Sequence, residues 1–152
     1  MTTSDTETSI TLAIYQGFAL GRLEPWDAIF HPDVLVNSPA GRDIVGREAI
    51  KSWVQAFIGA FRPRVDLIDH YLAGDRALLR INLHWQHDGA PFFGIEPTGT
   101  GGTSVESFLL RLKDGLVTHF DVADNSLDLA IYLHEQGMTL PRLVMPPALI
   151  TG

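Results

Sequence analysis

The chain has 152 residues, 45% of them hydrophobic, with 18 acidic against 11 basic side chains and a formal net charge of −7. That length predicts one globular domain with a single sizeable core and is too short for two. The acidic surplus, with no basic run, argues against a nucleic-acid partner, and the lack of cysteine excludes disulfides, thiolate nucleophiles, iron–sulfur clusters and Cys-ligated zinc.

The first nine residues are polar and acidic, without the charged start and apolar centre of a secretory signal. No apolar run approaches the ~20 residues that span a bilayer, so no membrane association and a cytoplasmic location are expected. Residues 5–20 carry Ile10, Ala13, Ile14, Gly17 and Phe18 at helical spacing. Ser4 with Glu7 fits a capping box, and Gly21 is a stop. Pro25 suits the first turn of a short helix holding Trp26, Ile29 and Phe30. His31-Pro32-Asp33 breaks that helix, 34–37 reads as a short strand, and 39–46 as a loop turning at Gly41-Arg42-Asp43.

From Arg47 to Phe61 the residues Ile50, Trp53, Val54, Phe57, Ile58 and Phe61 form one broad apolar face, and Pro63 ends the helix. The period then changes to two. Strands are expected at 65–73 and 76–87, the latter with Leu79, Ile81, Leu83, Trp85 and His87 on one face. A hairpin of 103–113 and 116–124 follows, turned by Asp114-Gly115. Asn125 or Ser126 caps a last helix that runs to about Gln136 and stops at Gly137. The apolar, proline-bearing tail after it is expected to dock on its own domain or on a second subunit. The fold class is α+β, an antiparallel meander rolled around the long helix and enclosing a pocket, all in one domain spanning 1–152.

Ionisable groups on an otherwise apolar sheet wall can do proton chemistry on a small molecule. His119 and Asp121 share a strand face, as an acid/base pair or as a solvated outer face. Glu106, flanked on its own face by Phe108 and Leu110, is a carboxyl that must be paired or protonated, the latter suiting a general acid; an edge salt bridge is the alternative. Asp124 ends its strand before a helix, where a carboxylate is either structural or chemical. His87 continues the Leu83–Trp85 face, as a catalytic or a hydrogen-bonded structural histidine. Asn37 could bond a substrate carbonyl or simply make a turn. Trp53, Phe57, Trp85 and Phe108 are core residues that also serve as pocket wall. Gly99-Thr100-Gly101-Gly102 lacks the strand–helix context of a phosphate loop. No metal-binding spacing occurs among the six histidines, and Ser38 and Ser107 lack a nucleophile elbow.

In order and spacing, His87-x-Gly89, Gly94-Ile95-x-Pro97-Thr98-Gly99 and Arg111-x-x-Asp114-Gly115 make the chain resemble the SnoaL-like polyketide cyclases, a branch of the NTF2-like α+β barrels. Phe30-His31-Pro32-Asp33 and Gly46-Arg47-Glu48-Ala49-Ile50 extend the likeness over most of the length. The resemblance implies a hydrophobic polycyclic polyketide substrate held between helices and sheet, acid/base chemistry with no cofactor or metal, and homo-oligomers packed through the outer sheet face. It implies aldol ring closure in most members and hydroxylation of anthracycline-type intermediates in a related branch.

Counted without gaps from Asp114-Gly115, the cyclase carboxylate falls on Val122, with Asp121 beside it. The preceding strand's histidine falls on Phe108, and its polar neighbour on Glu106. That register turns Phe120, Val122 and Asp124 to the pocket, and makes Phe120 a substrate contact; a single β-bulge would turn His119 and Asp121 inward instead. With the cyclase residues displaced, the sequence leans to cofactor-independent hydroxylation, with ring closure and non-catalytic binding of a hydrophobic ligand as alternatives.

Overall fold

The computed structural model describes residues 3–38, 41–124 and 128–138; the side chains of 3–9, 38, 41–43 and 124 fall outside that description. Among the described residues there are four helices, α1 (Thr3–Leu20), α2 (Trp26–Ile29), α3 (Arg47–Phe61) and α4 (Asp128–Glu135). Six strands complete the fold: β1 (Phe30–Ser38), β2 (Gly41–Val45), β3 (Arg64–Ala73), β4 (Arg76–Gln86), β5 (Gly101–Lys113) and β6 (Leu116–Asp124). They form one sheet in the order β2-β1-β6-β5-β4-β3. The expected capping box at Ser4, the cap at Asn125 or Ser126, and the tail beyond Met138 lie outside the described residues.

The periodic segments fold as their patterns dictate. α3 buries Ile50, Val54, Phe57, Ala60 and Phe61, the stripe expected of an amphipathic helix on a sheet. It ends where Arg62 takes a left-handed conformation (φ 41°) and donates its N–H to the Ile58 carbonyl at 2.9 Å, just before Pro63 forbids another turn. On β4, Ala77, Leu79, Ile81, Leu83 and Trp85 are buried and alternate with half-exposed neighbours. Asp114 and Gly115 both have positive φ, 54° and 79°, the mirror-image turn that suits a two-residue hairpin.

Two segments depart from expectation. The sheet is mixed rather than antiparallel, because β1 runs parallel to β6 while every other pair is antiparallel. β1 is also longer than the four residues expected, since Pro32 is accommodated where the β1–β6 register shifts between Phe30 and Leu35; a bulge needs no donor from the proline. The expected loop at 39–46 contains β2, so Gly41-Arg42-Asp43 pairs as a strand, and Ser38 partners Gly41.

The core divides into two aromatic groups. Phe18, Trp26, Phe30, Phe120 and Phe108 close a ring of contacts between α1 and the β5–β6 wall, Phe18 stacked on Phe108 and the other pairs tilted, with centroid separations of 4.9–5.9 Å. Gly17 lets Trp26 in: a Cβ there would run into the indole ring, whose Nε1 donates to the Ala13 carbonyl at 2.9 Å. Trp53, Phe57, Phe61 and Phe92 form the second group along α3. What lies between the two groups is the candidate site.

Candidate active-site cavity

The gap between the aromatic groups is a cavity bounded by Phe18, Phe108, Phe120 and Val122 on one side and by Ile50, Trp53 and Phe57 of α3 on the other. Val36, Ile44, Leu83, Leu129 and Ala130 complete the wall. Glu106 is the single ionisable side chain among these lining residues, and it is only 9% exposed. β5 places it there by strict alternation, since Ser104, Glu106, Phe108 and Leu110 are all buried while the intervening side chains are more exposed. A carboxyl group held against phenyl and aliphatic surface is the arrangement in which a side chain exchanges protons with a bound organic molecule rather than with water.

The cavity is narrow. Its volume is about 30 Å³, room for roughly two water molecules at 10–15 Å³ each. A ring-sized ligand therefore enters only if wall side chains move aside, and half-buried Trp53 is the bulkiest of those not locked in the core.

The expected register on β6 is resolved by a bulge one residue before His119. Arg111 pairs with His119 but Leu112 pairs with Val117, which leaves Thr118 as the extra residue. The bulge acts opposite to expectation. Continued from Leu112–Val117 without it, the pairing would set inward-facing Leu110 against His119, whereas the extra Thr118 sets Leu110 against Phe120. Val117 and Phe120 therefore both point inward, while His119 and Asp121 face away from the cavity. Asp121 is exposed. His119 lies in an outer groove with His31, Asp33 and Lys113, its Nδ1 3.0 Å from Thr118 Oγ1. Asn37 stands beside Asp121 in the parallel pair, and its neighbour Val36 is the residue that lines the cavity. Thus Glu106, Trp53, Phe57, Phe108 and Phe120 are brought together, whereas His119, Asp121 and Asn37 are on the other face. The Asp124 backbone pairs with Glu106; its side chain lies outside the described residues.

His87 is fully buried but does not reach the cavity. Its Nε2–H donates to the Ala90 carbonyl at 3.1 Å, and its Nδ1 lies 2.6 Å from the Tyr132 hydroxyl. A carbonyl can only accept, so in the neutral ring the proton is on Nε2 and Nδ1 accepts from Tyr132. Thr98 Oγ1 lies 2.8 Å from the same phenol oxygen. The histidine thereby ties the 87–100 bend to α4. Gly89 completes the joint, donating to the Ala60 carbonyl at 3.0 Å while Ala90 donates to Gly59 at 3.0 Å. A Cβ on Gly89 would collide with those carbonyls, so the His-x-Gly motif has a packing cause. Trp85, at 4% exposure, packs behind the cavity wall against Phe61 and Tyr132, 5.8 and 5.2 Å between centroids.

Ser104 was not singled out by the sequence. It is fully buried two residues before Glu106 on the same face; a serine in a strand carries no signal of its own, and only its alternation with Glu106 and Phe108 could have flagged it. Among the described residues no three histidine or carboxylate side chains cluster as metal ligands, and no helix is long and apolar enough to cross a membrane.

A model of the SnoaL-like domain matches residues 12–120, well over half of the chain. No curated protein matches the sequence. Similar solved structures include a candidate SnoaL-like polyketide cyclase from Jannaschia sp. CCS1, 19% identical over 91% of this chain and 99% of that one, with a TM-score of 0.69. AclR, a candidate hydroxylase from Streptomyces galilaeus, is 21% identical over 84% of each chain, TM-score 0.65. IdmH, a candidate polyketide cyclase from Streptomyces antibioticus, is 19% identical over 84% and 97%, TM-score 0.65. At these identities the likeness is one of fold.

Proposed function

The chain belongs to the SnoaL-like family, and from that premise we propose that it is a tailoring enzyme of aromatic polyketide biosynthesis, with the Glu106 carboxyl group as acid/base. The observation that carries this reading is a buried carboxyl group, the one ionisable side chain among the described lining residues, in an aromatic-walled cavity. The chemistry starts with removal of a proton from an acidic C–H of the substrate, leaving an enolate in a site poor in water.

The enolate has two outcomes. In hydroxylation it gives one electron to dioxygen and the radical pair joins as a carbon-bound peroxide. At a CH2 carbon the peroxide takes a proton and its O–O bond breaks as the carbon's second hydrogen leaves, releasing water and a new carbonyl oxygen, so no external reductant is needed. In ring closure it attacks a carbonyl of the same molecule. The apolar pair Phe108 and Val122 occupies facing positions on β5 and β6, where the resemblance to the cyclases calls for histidine and carboxylate, and this favours oxygenation. The cyclase names among the structural neighbours favour ring closure.

Turnover of an anthrone-type substrate under ¹⁸O₂ and under argon separates them. Hydroxylation predicts one ¹⁸O atom in the product and none formed in argon; ring closure in argon sinks it. Glu106→Gln is expected to lower kcat by about 10²- to 10⁴-fold, while Asp121→Asn and His119→Ala on the outer face stay within a few-fold. Unchanged turnover in Glu106→Gln would remove Glu106 from the chemistry, whereas substrate binding with no turnover in the wild type would establish a non-catalytic binder instead. The outer sheet face, with Tyr71 and Leu109 about half exposed, supports a homo-oligomer, which light scattering tests directly.

A further inference from the structure

Trp85 and Ser104 contribute polar atoms that the core does not use. Trp85 Nε1 and Ser104 Oγ are sealed from solvent, and neither has a hydrogen-bond partner among the described residues. Buried donors are nearly always paired, because leaving one without an acceptor is destabilising. Trp26 shows the ordinary remedy, with Nε1 bonded to a helix carbonyl. Two unpaired groups at neighbouring places in one core therefore call for a reason.

Their place on the sheet supplies one. Ser104 sits opposite Leu83 in the β4–β5 pair and two residues from Glu106, and both Leu83 and Glu106 line the cavity. Trp85 follows Leu83 by two on the same face. Its indole leans from β4 onto Gly102 of β5, where a Cβ would stand 3.3 Å from Nε1. Gly102 is in turn two residues before Ser104. The unpaired groups thus stand immediately behind the Leu83 end of a cavity that is too small for a ring and must enlarge to bind one.

We propose that Ser104 and Trp85 form the far half of the ligand site, donating hydrogen bonds to a ketone, quinone or phenolic oxygen of a fused-ring ligand whose reacting carbon lies at Glu106. This rests on the Glu106 cavity being the reaction site. Residues two apart on a strand are separated by about 7 Å, the scale of a fused bicyclic ring system. An oxygen conjugated to the reacting carbon carries much of the enolate's charge, and two preset donors stabilise that charge. The same donors select against a bare hydrocarbon, which would leave them unpaired.

The test uses the ¹⁵N-labelled full chain titrated with 1-tetralone and, separately, with tetralin, fused-ring probes that differ by one ketone oxygen. The three tryptophans give three indole N–H resonances, assigned with Trp85→Phe and Trp53→Phe; Trp26, already bonded, is the internal reference. Both probes are expected to shift Trp53, and only tetralone to move Trp85 downfield. Ser104→Ala is expected to weaken tetralone about five- to tenfold and to leave tetralin within twofold. A Trp85 resonance that stays still while Trp53 responds, including one already at a hydrogen-bonded position because water fills the gap, overturns the inference and leaves the cavity reading standing. Equal losses for both probes in Ser104→Ala overturn it as well. A Trp53 resonance that neither probe shifts overturns the cavity reading, and this inference with it.

Discussion

Replacing Tyr132 by phenylalanine deletes one oxygen atom from a joint that holds α4 to the 87–100 bend. The ring stays, so its packing 5.2 Å from Trp85 and 6.3 Å from Phe61 is kept and no cavity forms. What is lost is the hydroxyl 2.6 Å from His87 Nδ1, on a histidine with 0% exposure. Water cannot replace the donor there, so the cost is that of a buried acceptor left unpaired, about 1–3 kcal/mol. Thr98, the hydroxyl's other neighbour at 2.8 Å, is exposed and rebonds to solvent. With about 2 kcal/mol lost, the thermal midpoint of a chain this long should fall by roughly 4–8 °C. Urea unfolding should show a lower midpoint with unchanged slope, and Thr98→Val should stay within about 0.5 kcal/mol of the wild type. A Tyr132→Phe protein as stable as the wild type would refute the claim that His87 depends on this bond. So would a Thr98→Val cost equal to that of Tyr132→Phe.

Gly89→Ala should be worse, because the methyl meets backbone carbonyls of α3 rather than side chains that can rotate. Overpacking adds about 1–3 kcal/mol and the two flanking backbone bonds roughly 1 kcal/mol each, so the variant should lose cooperative unfolding or several kcal/mol in a denaturant titration; a change below 1 kcal/mol contradicts the packing account. Phe108→Ala removes a ring packed against Phe18 and Phe120 and should cost about 3–5 kcal/mol, at the lower end because one side of the ring already faces the cavity; no loss of stability would contradict it. At the surface, the bidentate hydrogen bonds from Arg62, at 3.1 and 2.8 Å, hold the Asp88 carboxyl below its ordinary value of 3.8. Since the folded value is below the unfolded one, the pair's contribution is complete above the unfolded value and is lost as pH falls through the folded one. Asp88→Asn should flatten the stability–pH curve below about pH 4, and an unaltered acid slope in that variant counts against the pairing.

The parts of the fold legible in the sequence were those where one face decides. The stripe on α3 and the alternation along β4 and β5 follow directly from burial on one side, and Asp114-Gly115 carries its turn in its own backbone preferences. β2 was hidden because glycine, arginine and aspartate next to a proline read as a turn; the strand owes its existence to its neighbour Leu35–Ser38, not to its own residues. Pro32 hid the start of β1 in the same way, since its tolerance depends on a register shift that local sequence does not announce. At the site, Glu106 was visible as a carboxylate out of keeping with its face. His119 and Asp121 were ambiguous because a single residue, Thr118, decides which way they turn. That bulge is set by how β6 fits β5, a tertiary fact.

The parallel seam between β1 and β6 also governs when the protein becomes whole. Every other strand pair joins segments that are neighbours in the chain, and a nascent chain completes each as it emerges. β1 must wait, with its β6-facing edge unpaired, until four further strands and the long helix have been made and β6 arrives. Until then the molecule has a sheet with a missing seam and no enclosed interior. The interval before that closure is when the chain is most exposed to sticking to its own kind, and the assembly of the cavity and the end of that hazard are one event.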